Sequence, residues 1–184
     1  MNPLVQALKR ITKFLQTQHI PYMVIGGIAN LVWGTPRSTF DIDITVQTSS
    51  DRESLVKIIH KGFKVRVPHP EKFIEETRVL PLQDKAGMNI DLIFAGLPYE
   101  EFAIRRAKTI QWQGIKVKIC SPEDLIIDKI ISTRAKDKDD VFGIVTNMKS
   151  KLDRIYLDPI VKKLSVALDR PDIQAHYRDC LRVK

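Results

Sequence analysis

Asp41 and Asp43 stand one residue apart in the stretch VIGGIANLVWGTPRSTFDIDITV, and a third acid, Asp91, lies in NIDLIF. In a β-strand, residues i and i+2 share a face, roughly 6.6 Å apart along the strand. Asp41 and Asp43 then share one face of a strand, and Ile42, Ile44 and Val46 point the other way. Both carboxylates have a reference pKa near ~4 and are charged at neutral pH. At ~5–6 Å they repel by about 3 kcal/mol for an effective dielectric of 20, a cost that a cation between them relieves. Ligation by carboxylate oxygens alone suits magnesium or manganese. If the strand of Asp91 lies beside the first, three carboxylates can hold two divalent ions and activate a hydroxyl for in-line attack on a phosphate. The ordinary alternative is a set of solvated acids on a strand edge or turn.

The residues around these acids offer places for phosphate. Gly26 and Gly27 fall between a short apolar strand, Tyr22 to Ile25, and a short helix, Ile28 to Trp33. Glycine lets the backbone approach a ligand, and a helix start supplies free N–H donors and positive dipole. Glycines in a strand-to-helix turn also serve geometry alone. Arg37, Ser38 and Thr39 lead into the acidic strand, Arg37 either to pair with phosphate or to neutralise the carboxylates.

The elements that must position these groups follow from periodicity. Pro3 with Leu4, Val5, Leu8, Ile11, Phe14 and Leu15 marks an amphipathic first helix, broken by Pro21. The acidic strand runs from Phe40 to Gln47. Ser49 or Ser50 caps a helix that Gly62 closes. Strand character returns at Phe63 to Val67, and residues 68–77 read equally well as several things. Arg78 to Leu82 and Met88 to Phe94 form a hairpin around QDKAG, Pro98 to Lys108 a helix, and residues 110–119 a second hairpin turning at Gln113-Gly114. At SPED the composition changes, and helices are expected over 122–134, 137–149, 154–168 and 171–182. The expected fold is α/β (α+β), with a mixed-sheet core over 1–120 and a helical region over 121–184.

The 184 residues are 43% apolar and 28% charged, with a formal net charge of +8. That balance favours polyanionic partners such as RNA or nucleotide phosphates. No apolar run reaches the ~18–20 residues of a membrane span. Two distant cysteines, Cys120 and Cys180, and four scattered histidines show no metal-ligand spacing, and a reduced cytoplasmic protein is expected.

The order GG, short helix, R-S-x-x-D-h-D-h and a later h-D-h resembles the DNA polymerase beta nucleotidyltransferase superfamily, and within it the AbiEii-type and related minimal nucleotidyltransferases, which carry a GG-x-A turn like GGIAN. Many members have Gly-Ser instead, so Gly27 stands where a phosphate-binding serine would be. The segment SPEDLIIDKIISTRAKDKDDV is similar to the AbiEii-type motif of a helical lysine before a basic-Asp-x-x-Asp element. On that match Lys129 contacts the nucleotide's phosphates, and Arg134, Lys136, Asp137 and Asp140 fill the supporting positions, with Asp139 able to replace Asp140 by a one-residue shift. The sign alternation of RAKDKDD also suits a solvated turn between helices.

The resemblance covers about residues 20–145. It implies transfer of an NMP from an NTP, ATP among the options, to an acceptor hydroxyl, with release of pyrophosphate. Asp41, Asp43 and Asp91 would hold two Mg2+ (or Mn2+) ions, and Gly26, Gly27, Arg37, Ser38 and Lys129 the phosphates. The AbiEii likeness implies a toxin acting on tRNA, with an antitoxin partner. Transfer to a small hydroxylated antibiotic, transfer to a protein, and a non-catalytic nucleotide- or RNA-binding module are the competing expectations.

Overall fold

In a computed structural model, which describes residues 2–47 and 52–182, the chain forms a seven-stranded mixed sheet and a set of helices. Ser49 and Ser50, the expected caps of the third helix, lie outside the described residues. By its internal contacts the chain divides into two units: residues 1–28 with 38–120, and residues 29–37 with 121–184.

The first unit opens with helix α1 (Pro3–Thr17), where the Asn2 side chain accepts from the Leu4 amide at 2.9 Å and Pro3 fills the first turn, which needs no N–H. The stripe of Leu4, Leu8, Ile11 and Leu15 is buried, and Phe14 meets Phe63 edge-on at 5.9 Å. The sheet runs β3 (Lys64–Val65), β4 (Val79–Gln83), β5 (Asn89–Phe94), β2 (Asp41–Val46), β1 (Tyr22–Val24), β7 (Ile115–Ile119), β6 (Lys108–Trp112). The β2–β5 and β1–β7 pairs are parallel; the other four pairs are antiparallel. Ile42, Ile44 and Val46 of β2 and Ile90, Leu92 and Phe94 of β5 are fully buried, each contributing about 1.5–3 kcal/mol through burial. The alternate positions form the opposite face and are the ones that carry the acids.

Both hairpins form, and Gln113 and Gly114 both take positive φ, 48° and 79°, as a two-residue turn matched to strand twist demands. Several segments differ from expectation, among them the helix expected over 122–134, which ends at Ile130, and the helix expected to reach Lys108, which ends at Arg106 where β6 follows from Lys108. Helix α2 (Gly26–Trp33) begins at the glycine pair rather than after it. Residues 68–77, ambiguous in sequence, contain helix α4 (Pro70–Thr77), with Pro70 in its first turn and Arg78 in the left-handed region at its end (φ 61°). Only Ile74 of α4 is buried, too little apolar pattern to announce a helix. Strand β3 shortens to two residues before Pro68, although the Arg66 amide still donates to the Pro81 carbonyl at 2.9 Å. Helices α3 (Arg52–Ile59) and α5 (Pro98–Arg106) complete the unit.

The second unit holds α6 (Pro122–Ile130), α7 (Ala135–Met148), α8 (Arg154–Ala167) and α9 (Pro171–Arg182), joined by residues 29–37. Ser121 caps α6 by accepting from the Asp124 amide at 3.1 Å. The first-turn acids of α6 are buried and satisfied: Tyr156 donates to Asp124 at 2.7 Å, and the Asp153 amide to Glu123 at 2.8 Å. The chain's early segment belongs here through Asn147, which donates to the Gly34 carbonyl at 2.8 Å, and through Gly143, which leaves room for Thr35.

Candidate active site

In the β2–β5 pair Asp43 is the direct partner of Asp91 and Asp41 the partner of Asn89. Paired residues on neighbouring strands project to the same face. The three aspartates therefore share one side of the sheet, with Asp41 exposed and Asp43 and Asp91 half-buried. Burial, then the negative charge of Asp41, pushes the Asp91 carboxyl above the ordinary carboxylate range, and Arg66 pulls the other way. Such a face holds more negative charge than it neutralises. Its donors are hard oxygens, the set that suits a small divalent cation. Among the described residues no group of three acids, histidines or cysteines closes into a ready metal cage.

The glycine pair is fitted to this face. Gly26 has φ +62°, and a Cβ there would lie 1.9 Å from Asp43 Oδ2. Conformation and space both require glycine. A Cβ at Gly27 would lie 2.2 Å from Thr39 Oγ1, and that hydroxyl donates to Asp41 Oδ1 at 3.2 Å. The Ile25 amide donates to the Asp43 carbonyl at 3.0 Å, tying the turn to the acidic strand. In the sequence Thr39 stood out only as one of the residues that lead into the acidic strand. Its place against Gly27 is visible only once the strands are paired.

Ser38 belongs to the first unit, and the candidates Arg37, Lys129, Arg134, Asp137 and Asp140 form a cluster within the second unit. Lys129 is 5% exposed, and its ammonium donates to Asp137 Oδ1 at 2.9 Å and lies 2.8 Å from Asp140 Oδ2. Arg37 grips Asp140 with two bonds of 2.8 Å. Asp137 also accepts from Arg134 Nε at 2.6 Å and from Ser132 Oγ at 2.7 Å. Burial alone would raise both carboxyls. The bonds from Ser132, Lys129 and Arg134 instead hold Asp137 down at about 2, and those from Arg37 and Lys129 hold Asp140 below its ordinary value. Asp140 is buried and Asp139 exposed, so Asp140 fills the position beside Lys129. Lys136 is exposed. Ser132 is the member that the sequence did not disclose, because a serine in an interhelical turn carries no pattern of its own.

The fold is shared with solved nucleotidyltransferases. The antibiotic-resistance factor ANT(2'')-Ia superposes with a TM-score of 0.60 at 15% identity, over 95% of this chain and 97% of its own. An antigenic nucleotidyltransferase-like protein from Paracoccidioides brasiliensis gives 0.54 at 19%, over 94% and 91%. The lincosamide antibiotic adenylyltransferase LnuA, solved with lincomycin bound, gives 0.54 at 17%, over 80% and 97%. At such identities the likeness is one of fold. No curated protein matches the chain in sequence. The sequence model of one family does match, over residues 2–175, and by it the chain belongs to the DUF6036 family of nucleotidyltransferases of unknown function.

Proposed function

We propose that this nucleotidyltransferase moves an NMP from an NTP to an acceptor hydroxyl on the sheet face of Asp41, Asp43 and Asp91, with two magnesium or manganese ions held by those carboxylates. The observation that carries the reading is the direct pairing of Asp43 with Asp91, beside a glycine turn pressed against Asp43. When bound, the ions supply positive charge for phosphoryl transfer. Gly26 and Gly27 offer backbone N–H groups at the start of α2 to the phosphates, and Ser38 a hydroxyl. Asp91 takes the proton of the acceptor hydroxyl. That oxygen bonds to the α-phosphorus, the α–β bridging bond breaks, and pyrophosphate leaves. Catalysis is then mostly positioning and electrostatics.

Arg37 and Lys129 are proposed to serve phosphate as well, since their cluster carries three cations, Arg37, Lys129 and Arg134, against two acids, Asp137 and Asp140. Arg134, Asp137 and Asp140 orient them in that reading, and Lys136 offers an exposed charge. A cytoplasmic location accords with two buried cysteines, Cys120 and Cys180, that form no disulfide among the described residues. Among the described residues no helix is long and apolar enough to cross a membrane.

A toxin acting on tRNA, paired with an antitoxin, rests on the AbiEii resemblance. A small hydroxylated acceptor is favoured by the match in length to two antibiotic-modifying enzymes, 97% of each of those chains being covered. Incubation with each labelled NTP, magnesium, total cellular RNA and a panel of aminoglycosides and lincosamides separates the two. Asp41→Ala and Asp43→Ala are expected to lose label transfer while remaining folded by circular dichroism. Wild-type turnover in either would sink the assignment.

A further inference from the structure

Strand β3 closes one end of the sheet order, with one cation, Lys64, on it and a second, Arg66, directly after it. Lys64 pairs with Gln83, Gln83 with Asn89, and Asn89 with Asp41. One step further along, the Arg66 amide bonds the Pro81 carbonyl, Pro81 pairs with Asp91, and Asp91 with Asp43. Val65, between the two cations, belongs to the row of Leu82, Ile90 and Ile42, whose last three members are fully buried in the core. Lys64 and Arg66 therefore project to the face of the three aspartates. Each ends a row that begins at one of the paired acids, Asp41 or Asp43. Both are exposed, and among the described residues neither forms an ion pair. Arg66 is close enough to act on the charge of Asp91, and lies two strand spacings, about 10 Å, across the sheet from it.

We propose that Arg66, assisted by Lys64, binds a phosphate on the acceptor, so that this enzyme modifies a hydroxyl carried by a phosphorylated molecule. The inference rests on the reading of Asp91 as the acid nearest the acceptor hydroxyl. A guanidinium grips phosphate through a planar fork of donors, and an exposed one on the face of the acids but two strands from the nearest keeps its donors for an incoming anion. A polycationic acceptor would meet repulsion at the same place. The ordinary use of lysine and arginine on an edge strand is protection against edge-to-edge aggregation. It asks only that the charges be at the edge, not that they face the acids.

The test uses the whole chain with 15N-labelled arginine and asparagine side chains. Ribose 5-phosphate is expected to shift the Arg66 Nε–Hε signal saturably, and ribose to leave it in place. Arg66→Gln should weaken ribose 5-phosphate binding, read at the Asn89 side-chain amide, at least about tenfold, the scale of one charge-assisted hydrogen bond. Arg66→Lys should recover part of that loss. The trinucleotide ApApA distinguishes the sources. Binding about tenfold tighter than ribose 5-phosphate, and weakened by Lys64→Gln, assigns the phosphate to a polynucleotide end; equal binding assigns it to a small phosphorylated alcohol. Equal responses to ribose and ribose 5-phosphate overturn the proposal. So does unchanged affinity in Arg66→Gln, including the case in which that variant merely aggregates more. A parallel titration with magnesium and ATP, read at the Gly26 and Gly27 amides, tests the parent reading separately. Its failure with every NTP would remove nucleotidyl transfer here without touching the Arg66 contact, and its success beside a silent Arg66 would remove only the contact.

Discussion

Taking away the ammonium of Lys129 would leave Asp137 and Asp140, 1% and 3% exposed, with Arg134, Ser132 and Arg37 as their side-chain partners among the described residues. Breaking a buried ion pair by removing one partner costs about 3–5 kcal/mol. Lys129→Met is expected near the lower end, because the two arginines remain, and urea unfolding should show a lower midpoint at unchanged slope. The same cluster sets an acid limit. A carboxyl held at about 2, against an ordinary 3.8, adds about 2 kcal/mol of stability at neutral pH. Because the folded value is the lower one, that contribution is complete above the ordinary carboxylate pKa and drains away as pH falls from about 4 to about 2. Asp137→Asn should flatten this part of the stability–pH curve. At this scale the shared face of Asp41 and Asp43 was legible, since the two acids alternate with apolar residues along β2. The grouping of Lys129 with Asp137 and Asp140 was implied by the resemblance, whereas the share of Ser132 was not, because it sits in the turn between two helices and carries no pattern.

Elements were legible where one face is buried and the other is not. Strand β5 alternates strictly and β2 does so up to its buried Thr45, so their apolar face could be read directly, whereas α4 buries one side chain and gives no stripe. Helix α5 depends on a contact that no periodicity reveals. Glu100 accepts from the amides of Gly96 and Leu97, at 2.8 and 2.9 Å, and from Arg78 at 2.7 Å. It thus fastens the start of α5 to the left-handed residue that ends α4. Glu100→Ala removes a cap and strands two backbone donors, which should cost about 1–3 kcal/mol in thermal or urea unfolding. Glu100→Gln keeps an acceptor oxygen for the amides and should lose less.

At the scale of the molecule, composition foretold an α/β part and a helical part, and the change at SPED is where α6 begins. What composition could not foretell is that residues 29–37 share a compact unit with 121–184. Nothing in ANLVWGTPR marks a partner so far along the chain. Residues 121–184 expressed alone would lack Arg37 against Asp140 and the Gly34 carbonyl against Asn147. Such a fragment is expected to melt less cooperatively than the whole chain, and a synthetic peptide of residues 29–37 added in excess should raise its midpoint.

The Arg37–Asp140 contact spans 103 residues. On a ribosome adding about 5–20 residues per second, Arg37 is made roughly 5–20 s before its acid exists. During that interval Ala29 to Arg37 hangs from a nascent sheet with its destination unwritten. Newly made chains thus pass through a stage in which an apolar segment stands uncovered, a ready place for a chaperone to act, and slower translation lengthens it.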